Sequence, residues 1–235
     1  MAGVATEHDT YKRLAPQWLR CRDVCAGSDA VKGKGSKYLP LLDSHQKSEN
    51  FHKYQEYVTR ALFYNAAGRT VAGLSGGIFQ KAPSVEVDDF MKEHTKDITL
   101  TGEPIDLFAL KVTQEYLVTG RYGILVDMAT EEATEPRPYW VGYPAEDIIN
   151  WRFKKMGGDQ ELFLVVLREY VDGPSDDEFE IKPVCQYRVL RLKDGIYTQQ
   201  IYVEEAATTG SNEKKYVGGP ILTPVRKGRA LDFIP

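Results

Sequence analysis

A run of glycines followed by a lysine is the first feature of the chain that could carry chemistry. The run reads NAAGRTVAGLSGGIFQK and covers residues 65–81. Gly68 and Gly73 have the spacing of the phosphate-binding loop of an NTPase, which needs Lys and Ser or Thr directly after the second glycine. Leucine and serine stand there instead, and Lys81 comes too late to reach a phosphate. The run also follows a helical pattern where that loop requires a strand. It is therefore not predicted to bind a nucleotide.

Other residue types used in catalysis or metal binding do not form a recognisable site. Cys21 and Cys25 would share one face of a helix, but Cys185 is distant, and a zinc site needs further ligands. No Gly-x-Ser-x-Gly motif is present. Histidines are expected at polar surface positions; here they are His8, His45, His52 and His94. The sequence therefore predicts no catalytic residue, no metal ligand and no cofactor, and hence a protein that is not an enzyme.

Composition limits the possible partners. The chain has 235 residues, of which 42% are hydrophobic and 27% charged, enough for one large domain or two small ones. The net charge of −4 provides no general attraction for nucleic acid. No apolar run approaches the roughly 18 residues that suggest a transmembrane helix, so no membrane partner is predicted. The N-terminus lacks the pattern of a signal peptide.

The composition changes twice along the chain, and these changes predict three parts. Residues 1–50 are polar and interrupted by glycines, which predicts a partly irregular N-terminal arm with a short helix around residues 18–24. This arm is either solvated or binds a partner. Residues 51–121 carry apolar side chains at three- and four-residue steps, as amphipathic helices do. Residues 122–235 are rich in β-branched and aromatic residues, as strands are.

Local signals predict where elements begin and end. Ser48 is a candidate N-cap for the first long helix, and Gly68 is a candidate break, because glycine costs about 1 kcal/mol relative to alanine inside a helix. Gly120 is predicted to end a later helix. Asp194 and Gly195 are predicted to form the tight turn of a β-hairpin. Because helices come first and strands follow, the predicted fold is α+β, with a mixed or antiparallel sheet.

Small residues spaced four apart predict a close-packing surface on the helix that contains the glycine run. Small side chains let a helix backbone approach its neighbour closely. Two interpretations remain open: a tight crossing with another helix of the same chain, or a contact with another subunit. The candidate packing residues are Ala72, Gly73, Gly76 and Gly77.

Several segments together resemble the N-terminal half of tailed-bacteriophage portal proteins. The best match begins with Tyr-Leu-Pro at residues 38–40 and continues through the glycine run to a Lys-x-Pro at 81–83. The matched positions between them are Tyr54, Tyr57, Arg60, Ala61, Phe63, Asn65, Arg69, Thr70, Val71, Gly73, Leu74, Gly76 and Phe79. Residues 115–127, 137–153 and 231–235 also fit, including Ala-Glu-x-Ile-Ile-Asn-Trp at 145–151.

The resemblance implies the fold of the portal wing and a homo-oligomeric ring, usually of twelve subunits. Such a ring lies at one capsid vertex of the virion and passes double-stranded DNA through its channel without recognising sequence. The implied protein partners are the terminase large subunit, the capsid protein and the neck or adaptor proteins. The implied location is the virion, with the host cytoplasm during assembly. Portal proteins are longer than this chain, and the apolar end at RALDFIP predicts further residues after Pro235.

Two other classes of function stay open at this stage. A different virion structural protein, such as a neck adaptor, would have similar composition and equally little chemistry. An enzyme that handles nucleotides without a recognisable motif is the other alternative. Binding of terminase separates a portal protein from an adaptor, and an ATPase assay tests the enzyme.

Overall fold

The computed structural model describes residues 3–41, 51–128, 137–174, 177–205 and 215–235. These residues form two compact units. The helical unit comprises Ala15–Tyr122. The sheet unit combines the N-terminal residues up to Leu14 with Gly123–Pro235. No helix in the described ranges is both long and apolar enough to cross a membrane.

Six α-helices occur in the described residues, mostly in the helical unit. They are α1 (Asp9–Ala26), α2 (Ser28–Gly33), α3 (Phe51–Arg60), α4 (Ala66–Ile78), α5 (Lys92–Lys96) and α6 (Ile105–Thr119). Short 3-10 turns cover Gly35–Lys37, Asp89–Met91 and Ala145–Asp147. The first helix is much longer than the short one predicted around residues 18–24, and it continues through Pro16. The predicted end of α6 at Gly120 is confirmed: this residue has φ 72° and donates its N–H to Tyr116 O.

The break in the long predicted helix lies before Gly68 and not at it. The α3 helix ends at Arg60, and α4 begins at Ala66 with Asn65 as its N-cap. Gly68 is in the first turn of α4. Asn65 determines the start of the helix because its side chain accepts a hydrogen bond from a free N–H of the first turn, as capping asparagines do. Ser48, the predicted N-cap, lies outside the described residues.

The strands form one large sheet and two small ones. The strands are β1 (Tyr122–Met128), β2 (Pro138–Pro144), β3 (Ile148–Met156), β4 (Asp159–Asp172), β5 (Pro183–Lys193), β6 (Ile196–Glu204), β7 (Tyr216–Leu222), β8 (Val225–Arg226) and β9 (Arg229–Ala230). The large sheet has the order β3-β4-β5-β6-β7, and every neighbouring pair is antiparallel. The predicted α+β fold class is confirmed, since helices precede this antiparallel sheet. The other two sheets are the pairs β1-β2 and β8-β9.

Two hairpins turn through paired residues with positive φ. Asp194 (φ 54°) and Gly195 (φ 72°) join β5 to β6, which confirms the turn predicted there. Lys227 (φ 51°) and Gly228 (φ 75°) join β8 to β9 in the same way. Two successive positive φ angles match the right-handed twist of hairpin strands.

Buried side chains lie on both faces of the large sheet. On one face, called the core face, a cluster joins β1 and β2 to β3, β4, β5 and β6; its buried members are Leu125, Tyr143, Ile148, Val165, Leu167, Leu190, Leu192 and Tyr197. On the opposite face, Val166 and Val189 are buried. Alternation along each strand places Val165 and Val166 on opposite faces.

The N-terminal segment lies along the outer edge of β3. His8 donates its backbone N–H to Ile149 O over 2.9 Å, and Asn150 donates from Nδ2 to Thr6 O over 2.8 Å. The His8 ring stacks on Trp151 with ring centroids 4.2 Å apart. Its Nδ1 accepts the N–H of Thr10 over 3.1 Å, at the start of α1. An edge strand with free backbone groups invites pairing with other chains, and this segment covers part of that edge.

Candidate interaction surface

The α4 helix is anchored to the end of α1 by one asparagine. Asn65 accepts the N–H of Gly68 on its Oδ1 over 2.7 Å, which caps the helix. Its Nδ2 donates to the carbonyl of Cys25 over 3.0 Å. A Cβ placed on Gly68 would lie 2.6 Å from Cys25 O and 2.6 Å from Asn65 Nδ2. The close approach of two backbones within the helical unit therefore occurs at Gly68.

Gly68→Ala is expected to destabilise the helical unit by about 1–3 kcal/mol, the usual cost of overpacking. The clash with the backbone carbonyl of Cys25 outweighs the gain of about 1 kcal/mol that alanine brings to a helix. Urea unfolding followed by circular dichroism measures the change. Gly73→Ala is the matched control in the same helix, because its Cβ meets nothing within 4 Å. Equal stability of the two variants would contradict the assignment of the close contact to Gly68.

The four predicted packing residues lie together on the exposed side of α4. Ala72, Gly73, Gly76 and Gly77 are all exposed. A Cβ placed on any of the three glycines meets nothing within 4 Å. Within the described residues, these three glycines thus make none of the close intramolecular contacts that one of the two interpretations requires. Only Ser75 of this helix is buried.

The exposed side of α4 is apolar beyond these small residues. Leu74 and Ile78 are 50% and 58% exposed, and Leu62, in the connection before the helix, is 99% exposed. Arg69 is the single charged residue of the helix, and its guanidinium stacks over the Tyr64 ring at 5.0 Å. We call the residues Ala72, Gly73, Leu74, Gly76, Gly77 and Ile78 the α4 surface. Contiguous exposed apolar surface of this kind is typical of sites that contact other macromolecules.

Residues that carry the portal resemblance also form the contacts around α1 and α3. Tyr54 donates its hydroxyl to Leu39 O over 2.9 Å, which connects α3 to the Tyr-Leu-Pro motif. Tyr38 donates to Asp23 Oδ2 over 2.6 Å, and this hydrogen bond raises the pKa of the Tyr38 hydroxyl. Lys34 and Lys37 lie 3.9 and 3.8 Å from the Asp23 carboxylate. These motif residues support the local fold and offer no reactive group.

A buried ionic network is the second notable feature, and it lies on the core face of the sheet unit. Arg188 on β5 donates from Nε to Glu169 on β4 over 2.7 Å and from Nη1 to Asp127 on β1 over 2.9 Å. The exposed fractions of these three side chains are 17%, 14% and 9%. One cation thus stands between two carboxylates from different sheets.

Four neutral side chains complete the hydrogen bonding of the two carboxylates. Tyr143 donates to Glu169 over 2.5 Å, and Gln186 donates to its other oxygen over 2.7 Å. Tyr139 and Gln199 each lie 3.4 Å from Asp127. Burial and then the charge of Glu169 raise the pKa of Tyr143 far above its usual range, so its hydroxyl stays a donor. The network joins β1 and β2 to the large sheet and holds no unpaired nucleophile.

No direct sign of this network is visible in the sequence, because its members come from five strands. One signal was present: charged residues at positions that alternation assigns to a buried face suggest a buried pair. Their partners can only be found once the register is known.

The other basic side chains and the three cysteines do not gather into a site. Lys154 pairs with Glu161 over 2.7 Å across β3 and β4. Arg226, Lys227 and Arg229 lie exposed on the β8-β9 hairpin. Cys21, Cys25 and Cys185 are free thiols, and burial raises the pKa of Cys25. Within the described residues, no three His, Cys, Asp or Glu side chains form a group that could hold a metal ion.

Neither a family model nor a curated protein matches the chain.

Proposed function

We propose that the chain is the wing part of a portal subunit of a tailed phage, which assembles into a homo-oligomeric ring at a capsid vertex. The observation that carries the proposal is the position of the motif Arg-Thr-Val-x-Gly-Leu-x-Gly. This portal-like motif coincides with α4, and its small residues lie exposed. The ring is expected to pass double-stranded DNA and to bind terminase, the capsid protein and neck proteins.

The α4 surface supports self-association on energetic grounds. An isolated helix of 13 residues is marginal in water, and each of the four glycines of α4 costs about 1 kcal/mol relative to alanine. The side of α4 that faces its own chain buries only Ser75. Contact with a neighbouring subunit would remove Leu74 and Ile78 from water, at about 25 cal/mol for each Å² of apolar surface.

The charge of the chain is compatible with a DNA conduit. Each lysine or arginine that contacts a phosphate strengthens the non-specific binding of duplex DNA through counterion release. A net charge of −4 keeps this non-specific binding weak. Among the described basic residues, Lys154, Arg168 and Arg188 are already paired with carboxylates. A subunit of this charge would let DNA slide past.

Light scattering of the full-length protein, coupled to size-exclusion chromatography, tests the proposal. For the wild-type protein, we expect a single species with a mass near twelve subunits, and we expect this mass to persist on dilution. A pull-down with the terminase large subunit distinguishes a portal protein from a neck adaptor, because an adaptor joins after packaging. A single-subunit mass at every concentration, even with scaffolding protein present, would exclude the portal assignment.

A further inference from the structure

Arg191 differs from the other two arginines of β4 and β5 in having no anionic partner among the described residues. Arg168 pairs with Asp147 over 3.1 Å, and Arg188 pairs with two carboxylates. No carboxylate of the described residues lies within 4.0 Å of the Arg191 guanidinium. Arg191 is nevertheless partly buried, in the sheet unit, on the face opposite the core face. Charged groups taken out of water are usually paired.

Two neutral side chains of β6 hold the Arg191 guanidinium in place. Its Nη1 donates to Gln200 Oε1 over 3.1 Å, and its Nη2 donates to the Tyr202 hydroxyl over 2.9 Å. The guanidinium also stacks over the Tyr202 ring at 5.6 Å. Tyr202 in turn donates to Gln200 over 2.8 Å. An arginine has five N–H donors, so three remain after these two hydrogen bonds.

The Arg191 side chain borders a cavity of about 210 Å³ on this face of the sheet. Its apolar floor consists of Leu164, Val166 and Val189. Asn150 and Tyr202 contribute polar groups, and the N-terminal segment closes one side with Gly3 and Val4. An apolar cavity with a few fixed polar groups is the usual form of a small-molecule site.

We propose that this cavity binds a short aliphatic carboxylate. The carboxylate accepts hydrogen bonds from the free donors of Arg191, which match its two oxygens in geometry. The alkyl chain lies over Leu164, Val166 and Val189. At about 30 Å³ for each water displaced, the cavity has room for up to roughly seven heavy atoms, which corresponds to acids of up to about five carbons. An inorganic phosphate, in contrast, would place a charged oxygen against this apolar floor, where an alkyl chain fits better.

Titration calorimetry with propionate and with propionamide tests this site. We expect saturable propionate binding with Kd on the order of 1 mM and no binding of the uncharged amide. Arg191→Gln should weaken propionate binding at least about tenfold, since a charge-assisted pair is lost. Lys193→Gln is the matched control, because it removes one positive charge from the same strand and should leave Kd unchanged.

Amide NMR of the wild-type chain gives a readout that does not depend on any variant folding. Propionate should shift the side-chain amide signals of Asn150 and Gln200, and propionamide should not. Equal heats for the two ligands, no shift of these amides, or the same Kd in Arg191→Gln as in the wild type would overturn the proposal. All residues that line the cavity belong to the sheet unit, so carboxylate binding does not depend on ring formation.

Discussion

Arg188→Met is expected to lower the free energy of unfolding by about 3–5 kcal/mol, the usual cost of removing one partner of a buried ion pair. The loss is large because Asp127 and Glu169 would remain as two buried carboxylates without their cation. Burial and the nearby charge of Glu169 keep the Tyr143 hydroxyl protonated, but a neutral donor cannot replace the arginine. Urea unfolding, followed by the fluorescence of Trp140 and Trp151 in the sheet unit, measures the change.

Arg191→Met provides the matched control for this prediction. It makes the same substitution three residues along the same strand, where no described carboxylate is paired with the arginine. We expect a loss of about 1–2 kcal/mol there, mainly from packing and two hydrogen bonds. The triple variant Arg188→Met, Asp127→Asn and Glu169→Gln should recover part of the loss, because no charge is left buried. Similar losses in the two single arginine variants would contradict the role given to the network.

Gly73→Leu and Gly76→Leu are expected to abolish ring assembly without destabilising the single chain. Leucine fits at both positions because a Cβ there meets nothing within 4 Å. It also favours the helix by up to about 1 kcal/mol relative to glycine, so the melting temperature should stay the same or rise. In the assembly, the added side chains would prevent the close approach that small residues permit. Light scattering of the full-length variants measures the loss as a shift from ring to single-subunit mass.

Gly73→Ala separates the effect of bulk from the effect of losing glycine. Alanine keeps the α4 surface small, and this variant should therefore still form rings. Two results would exclude an intermolecular role for the surface. One is a lower melting temperature in the leucine variants than in unassembled wild-type chains, which would indicate an intramolecular crossing. The other is a wild-type ring yield from the same two variants.

The elements were predictable wherever a local rule determines the backbone. Gly120 ends α6, and Asp194 with Gly195 turns β5 into β6, because only a few residue types accept positive φ. The order of helices and strands likewise predicted the α+β class. The predicted helix break at Gly68 was wrong because the free-energy cost of a glycine inside a helix does not determine where the helix begins. Asn65 caps α4 and also binds Cys25, 40 residues earlier, and these contacts place the start of the helix before Gly68.

The sites depended on tertiary contacts that a single sequence does not reveal. The small residues of α4 were identified from their spacing, but spacing does not distinguish an internal contact from a surface. Arg188 and Arg191 lie on the same strand, and only the register places one among carboxylates and the other beside a cavity. His8 was predicted at a polar surface, whereas its ring stacks on Trp151, 143 positions away.

Negative-stain electron microscopy of the purified full-length protein tests the central claim most directly. The portal proposal predicts closed rings with a central channel and one rotational symmetry, near twelvefold, in the class averages. It also predicts that Gly73→Leu and Gly76→Leu give dispersed particles under the same conditions. Class averages without rings for the wild-type protein, at high concentration and with scaffolding protein present, would contradict it.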